Sequence, residues 1–130
     1  MEEKNFDDWI KVKKQVHSDN LLPKISEGEV WWAAVGENVG IEINGKSEFF
    51  SRPIVIVKKL SRYGFLAVPL TSQKHEGSWY AKFVFKNKTQ YAALAQMRVM
   101  STARLYRRIG TIPESDLKIV KDGLKSLYFE

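Results

Sequence analysis

Apolar residues along this chain follow three patterns: helical spacing near each end, unbroken runs in the middle, and a period of two after residue 78. Phe6, Trp9, Ile10 and Val16 recur at helical spacing behind Asn5, with Asp8 three residues on as a capping-box partner, which predicts a helix over about 6–17. Residues 18–28 carry polar side chains, Pro23 and Gly28 and read as a linker. Val30 to Val35 is short, apolar and aromatic-rich, predicting a strand that Gly36-Glu37-Asn38 ends; a polar loop with Asn44-Gly45 follows. Ile54 to Val57 and Phe65 to Leu70 are apolar on both faces, as central strands are, and Ser61-Arg62-Tyr63-Gly64 between them has hairpin-turn chemistry. From Trp79 to Lys86 the odd positions are apolar, so Tyr80, Lys82 and Lys86 share an outward face and the odd residues point to the core. Tyr91 to Val99 reads as one further strand with Leu94, Gln96 and Arg98 on one side. Near Pro113 a C-terminal helix begins, with Glu114 and Asp116 in its first turn and Leu117, Val120, Leu124 and Leu127 on one stripe.

Five or so short antiparallel strands with a packing helix make an α+β chain that is mainly β. The architecture expected is a small barrel, SH3-like or OB-like, with the C-terminal helix packed on it and the N-terminal helix as an extra. Residues 1–27 form the helical extension and linker, and 28–130 the barrel domain. Pairing about the Ser61 to Gly64 turn sets Arg52 near Gln73 and Thr71 near Ile54. Arg52 and the Thr71-Ser72 hydroxyls therefore gather at one rim, with Arg52 held extended by Pro53 at a strand entrance, before the ladder starts.

Composition narrows the function classes. A chain of 130 residues, 44% hydrophobic, fills one core. With no cysteine it has no disulfide, thiolate nucleophile or cysteine zinc site, and a reducing compartment suits it. Its longest apolar runs are far short of the roughly 18 residues of a membrane span. Met1-Glu2-Glu3-Lys4 lacks the basic head of a signal peptide, so no membrane association and a cytoplasmic location are expected. The net charge of +6 is concentrated: residues 77–113 hold Lys82, Lys86, Lys88, Arg98, Arg104, Arg107 and Arg108 and no carboxylate. Such a stretch suits a polyanion, and equally a solubilising face. No His, Asp and Glu group has metal-ligand spacing, so neither a metal nor another cofactor is expected.

Five collinear blocks then carry a resemblance. They are Gly28-Glu29-Val30-Trp31-Trp32; Gly36-Glu37-Asn38-Val39-Gly40-Ile41-Glu42 with Gly45-Lys46; Phe50-Ser51-Arg52-Pro53-Ile54-Val55-Ile56-Val57; Val68-Pro69-Leu70-Thr71-Ser72; and Gln96-Met97-Arg98-Val99 with Arg104-Leu105. In these residues the chain resembles the MazF/PemK toxins of type II toxin–antitoxin systems from residue 28 to about 127. The resemblance implies an SH3-like barrel, a homodimer, a cognate antitoxin partner and a metal-free endoribonuclease that cuts single-stranded RNA and arrests translation and growth. It implies attack by the RNA's own 2′-hydroxyl, giving 2′,3′-cyclic phosphate and 5′-hydroxyl ends.

Arg52 and Thr71 match the family's catalytic pair, with Thr71 or Ser72 donating to a phosphate oxygen, and Gln96 matches a position near the substrate path. Where some PemK-type relatives carry an Arg, an Asp and a His, this chain has Ala93, Ala95 and Ile41, so that acid/base set is absent. A guanidinium whose pKa exceeds about 12 is a poor base. Glu42 or a substrate phosphate oxygen is left to take the 2′-hydroxyl proton, and Glu42 serves equally well as a structural acceptor. His75, near the rim, either assists or is a solvated loop residue. Tyr80, Lys82, Lys86 and Arg98 are the RNA-binding candidates, with Tyr80 as the exposed stacking ring beside Trp79, Phe83 and Phe85. Two rival functions share the fold: a non-catalytic gyrase inhibitor resembling the CcdB toxins, for which Ser126 to Glu130 offers no clear match, and a degenerate RNA-binding module.

Overall fold

The two runs that are apolar on both faces become the centre of a seven-stranded antiparallel sheet. The computed structural model describes residues 21–35 and 51–130; the expected N-terminal helix and the loop bearing Glu42 lie outside them. β1 is Glu29–Ala34, β2 Ser51–Lys59, β3 Gly64–Thr71, β4 Tyr80–Phe85, β5 Lys88–Ala93, β6 Arg98–Ser101 and β7 Leu105–Thr111, followed by helix α1, Glu114–Phe129. The strand order is β4-β5-β3-β2-β1-β7, and β6 pairs with β3 off that path. β3 thus serves two neighbours in turn: β6 along Gly64 to Ala67 and β5 at Leu70 and Thr71. That change of partner curls the sheet into the expected small barrel, which no β6–β7 ladder closes among the described residues.

Because side chains alternate across a strand, β2 and β3 each feed two cores. Val55, Val57, Val68 and Leu70 pack with Phe83, Ala92 and the helix residues Val120 and Leu124. Ile54, Ile56, Phe65 and Ala67 pack on the opposite face with Trp31 and Met100. Leu22 and Ile25, from the segment read as a linker, are also buried, Ile25 within this second core. At Gly28 the backbone turns with φ +90, a conformation L side chains rarely adopt. There its N–H donates to the Ile56 carbonyl at 2.7 Å, and its own carbonyl accepts from Ile112 N–H at 2.9 Å.

Three expectations are corrected and one strand is added. Tyr91 to Val99 is not one strand: a 3-10 turn at Leu94–Gln96 separates β5 from β6, because Leu94 is held by its N–H to the Trp79 carbonyl and its carbonyl to Tyr128 Oη. β7, which the polar Arg107-Arg108 pair obscured, is a real edge strand. The β2–β3 register is two residues tighter than expected, Ile54↔Pro69. The reasons are a bulge between Ile56 and Lys58 and a turn in which the Leu60 and Ser61 N–H groups both donate to the Gly64 carbonyl at 3.1 Å. Trp79 is 59% exposed, whereas Ala81 and Phe83 are buried as the alternation requires; it precedes β4 and escapes its pleat.

Helix α1 begins after Pro113, whose carbonyl accepts from Asp116 and Leu117 N–H at 3.0 Å. Its Gly123 lies so near the Leu94 turn that a Cβ there would come 2.8 Å from Leu94 Cδ1. The helix therefore clamps the turn that carries Gln96.

Two stability predictions arise in this packing. The Thr102 hydroxyl is fully buried with no hydrogen-bond partner among the described residues, and an unpaired buried hydroxyl costs free energy that a methyl of the same shape does not. Thr102→Val is expected to stabilise the fold by about 1 kcal/mol, read as a higher urea midpoint at unchanged slope. Glu27 accepts from Lys59 N–H and from Lys121 Nζ, each at 3.3 Å. Partial burial raises its pKa, but the Lys59 N–H and the Lys121 ammonium outweigh that and hold it below the ordinary 4.5. A depressed carboxyl pKa stabilises the fold above its unfolded value and ceases to as pH falls through the folded one. Wild type should exceed Glu27→Gln by under about 1 kcal/mol at pH 7, the pair being solvent-screened, and the gap should close in paired urea titrations as the pH falls through the lowered folded-state pKa.

Candidate nucleic-acid interface

Arg52 is the second residue of β2 and pairs with Ala33 of β1, so it lies inside the ladder rather than before it. Pro53 permits this. The Ile56 carbonyl points at Gly28 beside β1, so by alternation the missing Pro53 N–H falls on the opposite edge, toward β3, where the paired register begins only at Ile54↔Pro69. Arg52 shares the face of Ile54, and Thr71 shares the face of Pro69. The recorded β2–β3 pairs end at Ile54↔Pro69; continued by two residues, the same register would set Arg52 across from Thr71. Arg52, Thr71 and Ser72 do line one cleft, so the structure brings them together at one rim.

A cleft of about 610 Å³ opens at these strand ends. Its cations are Arg52, Lys86 and Lys88, and its hydroxyls belong to Ser51, Thr71 and Ser72. None of its described lining residues is a carboxylate. Thr71 Oγ1 accepts from the Gln73 N–H at 3.1 Å, which fixes the oxygen and leaves the hydroxyl hydrogen to donate outward. No hydrogen bond or ion pair among the described residues ties down the Arg52 guanidinium. A planar cation and a hydroxyl donor lining the same cleft are suited to the oxygens of one phosphate.

Arg52 also borders a second cleft of about 310 Å³, where it meets Gln96 and Arg98 over Ile54 and Met100. Arg98 Nη1 donates to the Val35 carbonyl at 3.2 Å and Arg104 Nη1 to the Ala34 carbonyl at 3.2 Å. Arg98 thus braces the end of β1 while keeping a place in the cleft wall.

The remaining candidates gather elsewhere. His75 stacks on Tyr80 with ring centroids 4.2 Å apart and planes 7° from parallel, and meets the edge of Tyr91 at 6.3 Å. His75 is therefore packed rather than freely solvated, and it covers one face of Tyr80. Lys82 is exposed on the outward face of β4 and, like His75 and Tyr80, lines neither cleft. Lys86 does line the larger one, 5.8 Å above the Phe85 ring.

Sequence reasoning passed over Trp32, Lys88 and Gln90 as lining residues. The signal lay in the Lys86-Asn87 turn, whose residues both have positive φ, 52 and 63. This two-residue hairpin turn pairs Phe85 with Lys88 and so fixes which β5 residues face inward. Among the described residues no cluster of three or more His, Asp or Glu side chains has the geometry to hold a metal ion, and no helix is long and apolar enough to cross a membrane.

Comparison with known proteins agrees with this framework. MazF from Deinococcus radiodurans superposes with a TM-score of 0.60 at 19% identity, covering 82% of this chain and 96% of that one. A mycobacterial endoribonuclease solved with its cognate antitoxin gives 0.60 at 17% identity, over 83% and 97% of the two chains. The Mycobacterium tuberculosis toxin MazF-mt6 gives 0.57 at 11% identity, over 77% and 95%. At such identities these structures speak for the fold. A sequence comparison with curated proteins finds no match. The family profile of PemK-like, MazF-like toxins matches residues 26–128, most of the length read above as the barrel. The five sequence blocks fall within this profile, whose described residues form the curled antiparallel sheet with its C-terminal helix, and the chain belongs to the PemK-like, MazF-like toxin family of type II toxin–antitoxin systems.

Proposed function

We propose that this chain is an endoribonuclease toxin that cleaves single-stranded RNA without a metal ion, acting in the cytoplasm as a homodimer and neutralised by a cognate antitoxin. The observation that carries the reading is the meeting of Arg52 and Thr71 in the lining of one cationic cleft, whose described lining holds no carboxylate. The substrate's 2′-oxygen attacks the adjacent phosphorus, the bond from phosphorus to the 5′-oxygen breaks, and a 2′,3′-cyclic phosphate and a 5′-hydroxyl result. The proton released by the 2′-hydroxyl passes to Glu42 or to a phosphate oxygen, and the leaving 5′-oxygen takes a proton from solvent water. Negative charge grows on the non-bridging oxygens during attack. Arg52 meets that charge with two parallel N–H donors, and Thr71 or Ser72 adds an O–H donor. Gln96 and Arg98 guide the strand through the second cleft, while Lys82, Lys86 and Tyr80 extend the contact surface. The antitoxin partner rests on the family and on the mycobacterial relative solved with one; an acidic antitoxin segment lying across the basic rim would exclude RNA.

The test is incubation of the purified protein with a long single-stranded RNA in excess EDTA, with the product ends mapped. Discrete cuts bearing 5′-hydroxyl ends are expected. RNA left intact by a folded protein would overturn the reading and direct assays to gyrase inhibition and RNA binding alone.

A further inference from the structure

The larger cleft holds a feature that phosphate chemistry leaves unused. β5 pairs with β4 as Phe83↔Gln90 and Phe85↔Lys88, and with β3 as Leu70↔Ala92. Opposed residues share a face, so Lys88, Gln90 and Ala92 project on the side of Phe83 and Leu70, which is the core side. Ala92 is fully buried there. Gln90, one pleat nearer the rim, is a half-buried amide between the buried Ala92 and the exposed Lys88, and no side-chain hydrogen bond holds it among the described residues. An amide facing inward with its donors and acceptor unspent awaits a partner.

The surroundings identify that partner by class. Trp32 and Phe85 line the same cleft as aromatic walls, and Arg52 and Lys88 supply charge at its edge. Phosphate is bound by cations and hydroxyls, which this cleft already provides. A side-chain amide offers a donor and an acceptor side by side, the pairing that a nucleobase edge presents and a phosphate does not. Unstacked bases of single strands are recognised by such edge contacts with aromatic stacking. At about 610 Å³ the cleft is of the size that holds small-molecule groups.

We propose that Gln90 reads one base of the RNA next to the scissile phosphate, with Trp32 as its stacking platform and Lys88 as a sequence-blind phosphate contact. This rests on the endoribonuclease reading. Gln90 then sets sequence preference, Lys88 sets affinity, and Arg52 with Thr71 sets the rate.

The experiment maps cut sites over a random-sequence RNA pool for wild type, Gln90→Ala, Gln90→Glu and Lys88→Ala, after circular dichroism has compared their folds. Gln90→Glu keeps the shape and replaces the amide donor with an acceptor, so it carries the test if Gln90→Ala fails to fold. Both Gln90 variants should change the preference among bases at one position of the cut site by about tenfold, and the remaining positions should stay as in wild type. Lys88→Ala should slow cleavage of all sites alike and reduce the salt dependence of binding, with the base preference unchanged. Wild-type cutting with the same base preference in the Gln90 variants would overturn the inference while the endoribonuclease reading stands. A wild type that cuts no RNA would overturn both.

Discussion

Arg52→Ala is expected to lower the rate of RNA cleavage by 100-fold or more while the protein stays folded. The magnitude is that of removing one positioned donor from developing negative charge, about 10² to 10³ in rate. Stability should move by no more than about 0.5 kcal/mol, since the Arg52 side chain is half exposed and the β2 backbone pairing does not depend on it. Arg52→Lys separates charge from geometry. An ammonium keeps the cation but loses the two-pronged contact, so its activity should fall between wild type and Arg52→Ala. Single-turnover rates on a short RNA with one cut site, beside thermal midpoints, make the comparison. Full cleavage by folded Arg52→Ala would remove Arg52 from the chemistry and leave Thr71 and Ser72 to be tested alone.

The second large effect is structural. Glu29 is 8% exposed, and its carboxylate gathers three groups: Oε1 accepts from Ser26 N–H at 3.1 Å and from Trp31 Nε1 at 3.0 Å, and Oε2 lies 3.5 Å from Arg108 Nη1. Truncation to alanine strands the indole and backbone donors and opens a cavity between β1 and β7. Each unsatisfied buried group costs roughly 1–3 kcal/mol, so Glu29→Ala should lose about 3 kcal/mol, a sizeable share of the 5–15 kcal/mol typical of a domain. Glu29→Gln retains an oxygen acceptor and loses mainly the ion pair with Arg108, which is half exposed, so its loss should be near 1 kcal/mol. Urea midpoints and slopes for the two variants decide the matter. Equal losses would mean that charge, rather than the hydrogen-bonded acceptor, holds the site.

The contrast between these residues shows how far a sequence can be read. Arg52 and Thr71 were legible because hairpin pairing about a recognisable turn is local arithmetic, even though the turn and a bulge at Val57 together shifted the register by two residues. The central strands and α1 were legible for a related reason: an element buried on both faces, or along one stripe, writes its burial into its own residues. β7 was not, because Tyr106, Arg107 and Arg108 are exposed and its pairing is bought by β1. Nor was the break at Leu94, whose causes are Trp79, Tyr128 and Gly123, all distant in sequence. His75 looked like a loop histidine until Tyr80 was placed beside it.

By itself, then, the sequence determined a cysteine-free, basic, mainly β chain of the MazF/PemK type, with Arg52 and Thr71 at one rim, because composition, periodicity and collinear motifs are properties of neighbours along the chain. Only the tertiary structure decided that Arg98 braces β1, that His75 and Tyr80 stand apart from the cleft, and that Gln90 turns an unspent amide into it. Those outcomes depend on which strand lies beside which. Sheet pairing joins residues far apart in sequence, and a shift of one residue in register moves a side chain to the opposite face.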